Sequence, residues 1–241
     1  MRRGLARNGR RPRVVGRSRH PHGVESVSQV TQNALADLII GLADNKYALG
    51  RRFSEWTNGA PTLEAAVAAA AMTQDELGHA RSLYAALSSM PDAPEAYTRE
   101  EKRDRRFNLS LLDAPFASWA EFVAACALLD RALSLVFEAA RESRYEPLRQ
   151  RAGKILQEEK FHRLYAEGWL KRLAANAGTR AAAQAAVNRV WAPTAQWLAS
   201  AYNGTLTADG TLSESADSLR ARWIVEMKSL LNERGMEANE Q

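Results

Sequence analysis

The sequence predicts an all-α protein, a four-helix bundle with additional C-terminal helices. Of its 241 residues, 46% are apolar and 25% are charged, which is typical of a globular chain. Alanine and leucine dominate and β-branched residues are sparse, which favours helices over strands. Apolar residues also recur at intervals of three and four in long stretches, as amphipathic helices require.

The first two helices are predicted to form a hairpin. Helical spacing of apolar residues predicts the first helix from about Ser26 to Trp56, and an Asn-Gly-Ala-Pro segment ends it. Thr62 is a candidate N-cap of the second helix, which runs to about Leu87. Small residues over 65–71 would let a neighbouring helix approach closely.

A long connection, 88–117, separates this hairpin from the next one. It contains three prolines and a charge run over 99–106. We interpret it as a solvated crossover, and a basic rim for an anionic ligand or a partner is the alternative. A Ser-x-x-Glu capping box at Ser118 begins the third helix, which is predicted to run to about Glu142. The fourth helix follows a short turn and ends near Gly178.

Two further helical stretches, 179–202 and 216–234, follow the bundle. Pro193 is predicted to kink or split the first of them, and Ser215 is a candidate cap for the second. The polar segment 203–215 links the two. Neither stretch contains a metal-ligand pattern, so we expect both to pack against the four-helix core or a second subunit.

The basic excess of the chain lies in its N-terminal tail. The net charge is +5, but residues 1–24 carry eight arginines and no acid, which leaves 25 basic and 28 acidic side chains elsewhere. We expect this Arg-rich tail to be disordered. Residues 25–241 should form one helical domain, with the bundle at about 26–177 and the C-terminal helices at about 179–234. A translation start placed upstream is our preferred explanation of the tail, and a transit peptide is the alternative.

Composition also excludes several classes of function. The chain beyond the tail is weakly acidic, so we expect no nucleic-acid partner. No run of 18 apolar residues occurs, so we expect no membrane span.

Cys126 is the single cysteine, which excludes an internal disulfide or a self-contained iron–sulfur cluster and fits a cytoplasmic location. We interpret Cys126 as a small core residue.

Two Glu-x-x-His pairs are the candidate functional residues, Glu76 with His79 and Glu159 with His162. Residues three apart lie on one helix face, so each pair can hold a metal ion, and bundle cores use this repeated pattern for dimetal sites. Asp130 lies on an apolar stripe of the third helix. A buried carboxylate needs a compensating charge, which a metal would supply. Solvent-facing charges on imperfectly amphipathic helices are the alternative.

Helix rise predicts the depth of these residues. At ~1.5 Å per residue, Lys46 and Glu76 lie ~20 and ~25 Å from the first turn, and Asp130 and Glu159 lie nearly equally far from the second. We therefore predict a single layer of polar side chains that contains Lys46, Glu76, His79, Asp130, Glu159 and His162.

Lys46 departs from this metal-binding pattern, because the bundle site uses a carboxylate at that position. Its apolar neighbours at helical spacing predict that it points inward. Burial could make it neutral, or it could pair with a carboxylate freed from a missing metal. Asp44 is a candidate substitute ligand, although it lies about 200° away around the helix. We hypothesise an altered site with one strong and one weakened metal position.

Several segments resemble the phenylacetyl-CoA ring-1,2-epoxidase family, which has a catalytic subunit with a di-iron site and a related structural subunit without one. The similar segments are Leu49–Trp56, 60–64, 74–81, Trp119–Glu121, Asp130 and 158–162. The first is more similar to the structural subunit, whereas 74–81 and the later segments are more similar to the catalytic one. The resemblance covers about residues 30–170.

This resemblance implies a ferritin-like four-helix bundle with iron in its core. Glu76 and His79 would bind one iron, Glu159 and His162 the other, and Asp130 would complete the set. Lys46 stands where the family has a ligand glutamate, so it is itself a candidate catalytic position. The cofactor would be two iron ions, or one if Lys46 blocks a position, with manganese as an alternative.

The implied activity is a monooxygenase reaction of phenylacetate catabolism, the O2-dependent oxidation of an aromatic or acyl-CoA-type substrate. A separate reductase would supply electrons, and a homologous subunit would complete a homo- or heterodimer. The alternative is a non-catalytic structural partner, in which Lys46 replaces metal charge through a salt bridge to Glu76 or Asp130. Iron storage is a third interpretation, which the long 88–117 connection disfavours.

Overall fold

A computed structural model describes residues 29–90 and 106–238 of the chain. Regular structure in these ranges is entirely helical, which confirms the predicted all-α class. The predicted disordered tail and most of the charge run lie outside the described residues. The helices are α1 (Gln29–Ser54), α2 (Leu63–Ser88), a 3-10 turn (Ser110–Leu112), α3 (Trp119–Ala124), a π turn (Ala125–Leu129), α4 (Asp130–Ala139), α5 (Glu146–Ala175), α6 (Ala177–Ser200), α7 (Thr205–Ala208) and α8 (Ala216–Asn232).

Four rods form the bundle: α1, α2, the continuous α3–π turn–α4, and α5. The tightest packing joins α1 to α2. Gly50 explains part of this closeness, because a Cβ built there would lie 2.9 Å from Leu77 Cγ and 3.2 Å from Glu76 Cβ. A larger residue at position 50 would therefore push α2 away at the level of Glu76.

Local hydrogen bonds begin three helices at the predicted residues. In each case a side-chain hydroxyl accepts the backbone N–H three residues later at 3.2 Å, which satisfies a donor that the first helical turn leaves unpaired. The three confirmed N-caps are Thr62, Ser118 and Ser215.

The third rod differs from the uninterrupted α-helix predicted for 118–142. Its middle is a π turn, in which the Asp130 N–H donates to the carbonyl of Ala125, five residues earlier. The rod ends at Ala139, earlier than predicted. Such a turn holds more residues than an α-helical turn and so changes the direction in which Asp130 points. All five residues of the turn are buried, so apolar periodicity gives no sign of it.

The C-terminal helices pack on the bundle. Helix α6 lies against α3, the π turn and α5, and α8 lies against α6 and α4. Trp223 of α8 is fully buried and its Nε1 donates to the carbonyl of Leu128 at 2.9 Å. Helix α6 continues through Pro193 without being split there. Among the described helices, none has the length and apolar character needed to cross a bilayer.

The described end of the long connection, residues 106–117, lies against α1, and we call it the strap. Asp44 Oδ2 accepts the backbone N–H of Phe107 at 2.6 Å. Asn45 Oδ1 accepts the backbone N–H of Leu109 at 3.0 Å. Asp44 therefore holds the strap and does not enter the core layer, so the suggestion that it replaces a metal ligand is wrong.

Candidate metal centre

Polar side chains from all four rods converge in the middle of the bundle. Each has at most 4% of its surface exposed, although apolar residues surround the layer. The members are Lys46 from α1, Glu76 and His79 from α2, Asp130 from α4, and Glu159 and His162 from α5. The structure therefore brings together all six residues of the predicted layer, which we call the core cluster.

The Lys46 ammonium lies at the centre of the core cluster. Its Nζ donates to Asp130 Oδ1 at 2.5 Å, to Glu159 Oε1 at 2.5 Å and to Glu76 Oε1 at 3.1 Å. Charge-assisted hydrogen bonds of this length are among the strongest that side chains make. One ammonium therefore joins acids from three rods to α1.

The charge states of the core cluster follow from competition between burial and neighbouring charges. Burial alone would lower the pKa of Lys46, but Asp130, Glu159 and Glu76 outweigh it and raise that pKa well above its ordinary value. These contacts therefore favour the cationic form of Lys46 over the neutral form. Burial alone would raise the pKa of Asp130, but Lys46 and His162 hold that pKa well below its usual range.

Glu76 responds differently from Asp130. Burial, followed by repulsion from Asp130, raises the pKa of Glu76 to about 7, although Lys46 partly opposes the shift. Its Oε2 atom is buried and has no hydrogen-bond partner among the described residues. Glu76 is therefore the acid of the core cluster that the ammonium compensates least.

The two imidazoles face carboxylates of the core cluster through their Nδ1 atoms. His162 Nδ1 lies 3.3 Å from Asp130 Oδ2 and 3.4 Å from Glu76 Oε1. His79 Nδ1 lies 3.3 Å from Glu159 Oε1. Burial alone would lower both pKa values, but these carboxylates raise that of His79 and raise that of His162 to about 12. A protonated imidazole, the form that this raised pKa favours for His162, donates hydrogen bonds and has no lone pair for a metal.

The outer nitrogens of the imidazoles are paired reciprocally between α2 and α5. His79 Nε2 lies 2.6 Å from Glu158 Oε2, and His162 Nε2 lies 3.2 Å from Asp75 Oδ2. Each acid comes directly before the glutamate of the opposite pair. Sequence reasoning missed this pairing, although a signal was present, because both motifs have the form acid-Glu-x-x-His. It also missed Ser134, whose Oγ lies 3.4 Å from Glu159 Oε2.

The donor set suits a hard divalent cation, but Lys46 competes for it. Ligand atoms of Glu76, Asp130, Glu159 and His162 all lie within 4.8 Å of one another. Carboxylate-rich sets of this kind bind iron or manganese. The ammonium, however, already contacts all three acids, and it would repel a dication held by the same oxygens. The residues therefore do not fit two metal ions while Lys46 is charged and in this position.

A small cavity of about 120 Å³ borders the core cluster on the side of α4 and α5. Cys126, Asp130, Ser134 and Glu159 contribute to its lining. Cys126 is buried, and burial together with the nearby carboxylates raises the pKa of its thiol well above the ordinary value. It is therefore a neutral core side chain, as predicted.

The fold and the core cluster define a ferritin-like four-helix bundle with a buried carboxylate–histidine centre. A family model described as phenylacetic acid catabolic protein matches residues 22–241. The chain belongs to this family.

Two curated relatives come from Escherichia coli (strain K12), and both are components of 1,2-phenylacetyl-CoA epoxidase. The chain is 32% identical over 209 residues to the C subunit of this epoxidase, a match that covers 83% of this chain and 82% of that protein. It is 28% identical over 170 residues to the A subunit of the same epoxidase. This second match covers 69% of this chain, and only 52% of the relative.

Proposed function

We propose that this chain is a non-catalytic subunit of a complex of the phenylacetyl-CoA epoxidase type, in which Lys46 carries the charge that metal ions supply in a catalytic subunit. The observation that supports this proposal is the contact of one Nζ atom with three buried carboxylates at 2.5–3.1 Å. An ammonium compensates these acids electrostatically, but it offers no coordination position for O2 and exchanges no electrons.

The core cluster would then act as a structural clamp. Lys46 on α1 binds Glu76, Asp130 and Glu159, so it connects all four rods at one level. The reciprocal acid–imidazole pairs add two contacts between α2 and α5. With these cations in place, the acids are compensated without a metal, and the bundle can present a fixed surface to another subunit.

Catalysis would take place on a homologous partner subunit. The names of the two relatives assign them to one epoxidase, which supports a hetero-oligomer that contains this chain. The CoA-thioester-like substrate and the separate reductase would then be used by the partner. The chain would contribute to activity by stabilising the partner's fold or its pocket.

A second candidate is the oxygenase subunit itself, with one metal position. It is favoured by the four donors that lie within 4.8 Å of one another and by the nearby His79. Iron, or manganese, would supply O2 activation in such a site. This alternative requires that Lys46 leave the centre of the core cluster, which would separate it from all three acids.

Metal analysis separates the two candidates. We expect the chain purified from iron-replete cells to contain less than about 0.1 iron per chain and to show no turnover with O2 and a reductant, because the ammonium repels cations. We expect co-purification with a metal-loaded homologous subunit. Tightly bound iron that is lost in Glu76→Ala and His162→Ala, together with turnover by the chain alone, would instead establish the oxygenase.

A gain-of-binding variant makes this test sharper. Lys46→Glu removes the competing cation and restores a carboxylate, so it should bind at least one Co²⁺ or Fe²⁺ per chain, visible in the Co²⁺ absorption spectrum. Lys171→Glu makes the same charge change on an exposed position of α5 and should bind none. A Lys46→Glu chain that folds but binds no metal would contradict the role given to Lys46.

A further inference from the structure

We propose that a pocket between α1 and the strap binds a compact oxyanion of the phosphate class. The pocket has a volume of about 150 Å³ and lies outside the core cluster. Two elements build it, and its principal lining residues are Tyr47, Arg51 and Arg52 from α1 and Arg106, Asn108 and Asp113 from the strap. This proposal does not depend on the function proposed for the core cluster.

Arg52 gives the first indication of a ligand. It is 6% exposed, and its Nη2 pairs with Glu55 Oε1 at 2.9 Å. Its Nε and Nη1 atoms are buried and have no hydrogen-bond partner within the part of the chain that the structure describes. Unpaired buried guanidinium donors are rare and call for an acceptor such as a bound ion or water. An oxyanion in the adjoining pocket would provide one.

Arg106 and Arg51 also line this pocket, and Arg106 already contacts Asp44 Oδ1 at 3.8 Å and the Tyr84 hydroxyl at 3.4 Å. The Arg106 guanidinium carbon lies 4.3 Å from the ring centroid of Tyr47, and stacking of this kind restricts the orientation of the donors. The hydrogen bond between Phe107 N and Asp44 holds the neighbouring backbone. Arg51 is exposed at the edge of the pocket. Guanidinium groups match the geometry of phosphate oxygens, which favours this ligand class.

Charge and size restrict the ligand further. The described lining contains three arginines and one acid, Asp113, and two of these arginines also pair with acids beside the pocket, Arg52 with Glu55 at 2.9 Å and Arg106 with Asp44 at 3.8 Å. Asp113 Oδ1 accepts from Asn108 Nδ2 at 2.9 Å. A volume of about 150 Å³ accommodates one phosphate group. The anion is therefore either free phosphate or a phosphate group that projects from a larger molecule outside the pocket.

Titration of the full chain with inorganic phosphate tests the proposal. Isothermal titration calorimetry at fixed ionic strength, with chloride as the compensating anion, should show saturable binding of one phosphate per chain. Adenosine 3′-monophosphate distinguishes the sources: equal affinity indicates that the phosphate group alone is recognised, and tighter binding indicates a phosphate carried by a larger molecule. The absence of saturable binding by phosphate would overturn the proposal.

Three variants locate the binding. Arg52→Gln should weaken phosphate binding at least about tenfold, since it removes buried charge-assisted donors. Arg51→Gln should weaken it several-fold and, because the position is exposed, should leave the fold intact. Asp113→Asn should strengthen binding, because it removes the acid from the lining. Arg149→Gln, an exposed charge change on α5, is the control and should bind as the wild type does. Wild-type affinity in both pocket arginine variants would refute the site.

Discussion

Replacing Lys46 with methionine tests whether the ammonium holds the bundle together. Methionine keeps a long apolar side chain but leaves three acids without the cation that lies 2.5–3.1 Å from them. Removal of one partner from a buried ion pair costs ~3–5 kcal/mol. Since three acids lose the same partner, we expect a loss of ~4–5 kcal/mol in the free energy of unfolding. This is a large part of the ~5–15 kcal/mol that stabilises a typical domain.

Urea unfolding followed by far-UV circular dichroism at pH 7 and pH 5 measures this loss. The loss should be smaller at pH 5, because acids without a cation take up protons, and Glu76 already has a pKa of about 7 in the wild type. Lys171→Met, on an exposed position of α5, should change stability by no more than ~0.5 kcal/mol. A loss below ~1 kcal/mol in Lys46→Met at pH 7, or an equal loss at both pH values, would refute the electrostatic reasoning.

Three further predictions concern other groups. Glu76 and His162 have raised pKa values of about 7 and about 12, so the folded chain keeps protons that the unfolded chain releases. Urea unfolding should therefore show that the free energy of unfolding falls as pH rises. Glu76 should contribute to this fall between about pH 4.5 and pH 7, and His162 above about pH 6.5. Asp44→Ala should cost ~1–3 kcal/mol and speed amide exchange at Phe107, because that N–H loses its acceptor. Cys126 should resist iodoacetamide until the chain unfolds, because its thiol is buried with a raised pKa.

The first two of these predictions have a matched control variant, and the third has an outcome that would contradict it. Glu76→Gln should flatten the stability curve between pH 4.5 and 7, and an unchanged curve would mean that another group titrates there. Asn33→Ala alters an exposed position of α1 whose side chain bonds to Gln29, and it should leave exchange at Phe107 unchanged. Rapid labelling of Cys126 in the folded chain would show that the small cavity admits the reagent.

The convergence of the core cluster could be predicted from the sequence because it depends on helix rise, which sets depth, and on helical spacing, which sets the face. Similar arm lengths on either side of each short turn bring Lys46 nearly level with Glu76, and Asp130 nearly level with Glu159. The N-caps could also be predicted, since they require only a hydroxyl immediately before an apolar periodic stretch. These features follow from local geometry.

Other features depend on tertiary distances and could not be predicted in this way. The charge of Lys46 depends on whether burial or three nearby carboxylates dominate, and only their separations decide that. The π turn lies in a stretch that is buried on all sides, where periodicity carries no information. The suggestion that Asp44 is a metal ligand failed for a related reason. Its partner Phe107 comes from a connection whose path cannot be predicted from the sequence.

The position of the Lys46 ammonium has a consequence for biogenesis. A positive charge attached covalently to α1 is present as soon as translation of that helix is complete. It cannot be extracted by a chelator, substituted by a competing ion or altered by an oxidant. Under the proposed function, folding of this bundle needs no metal, so the subunit would also fold in an iron-starved cell.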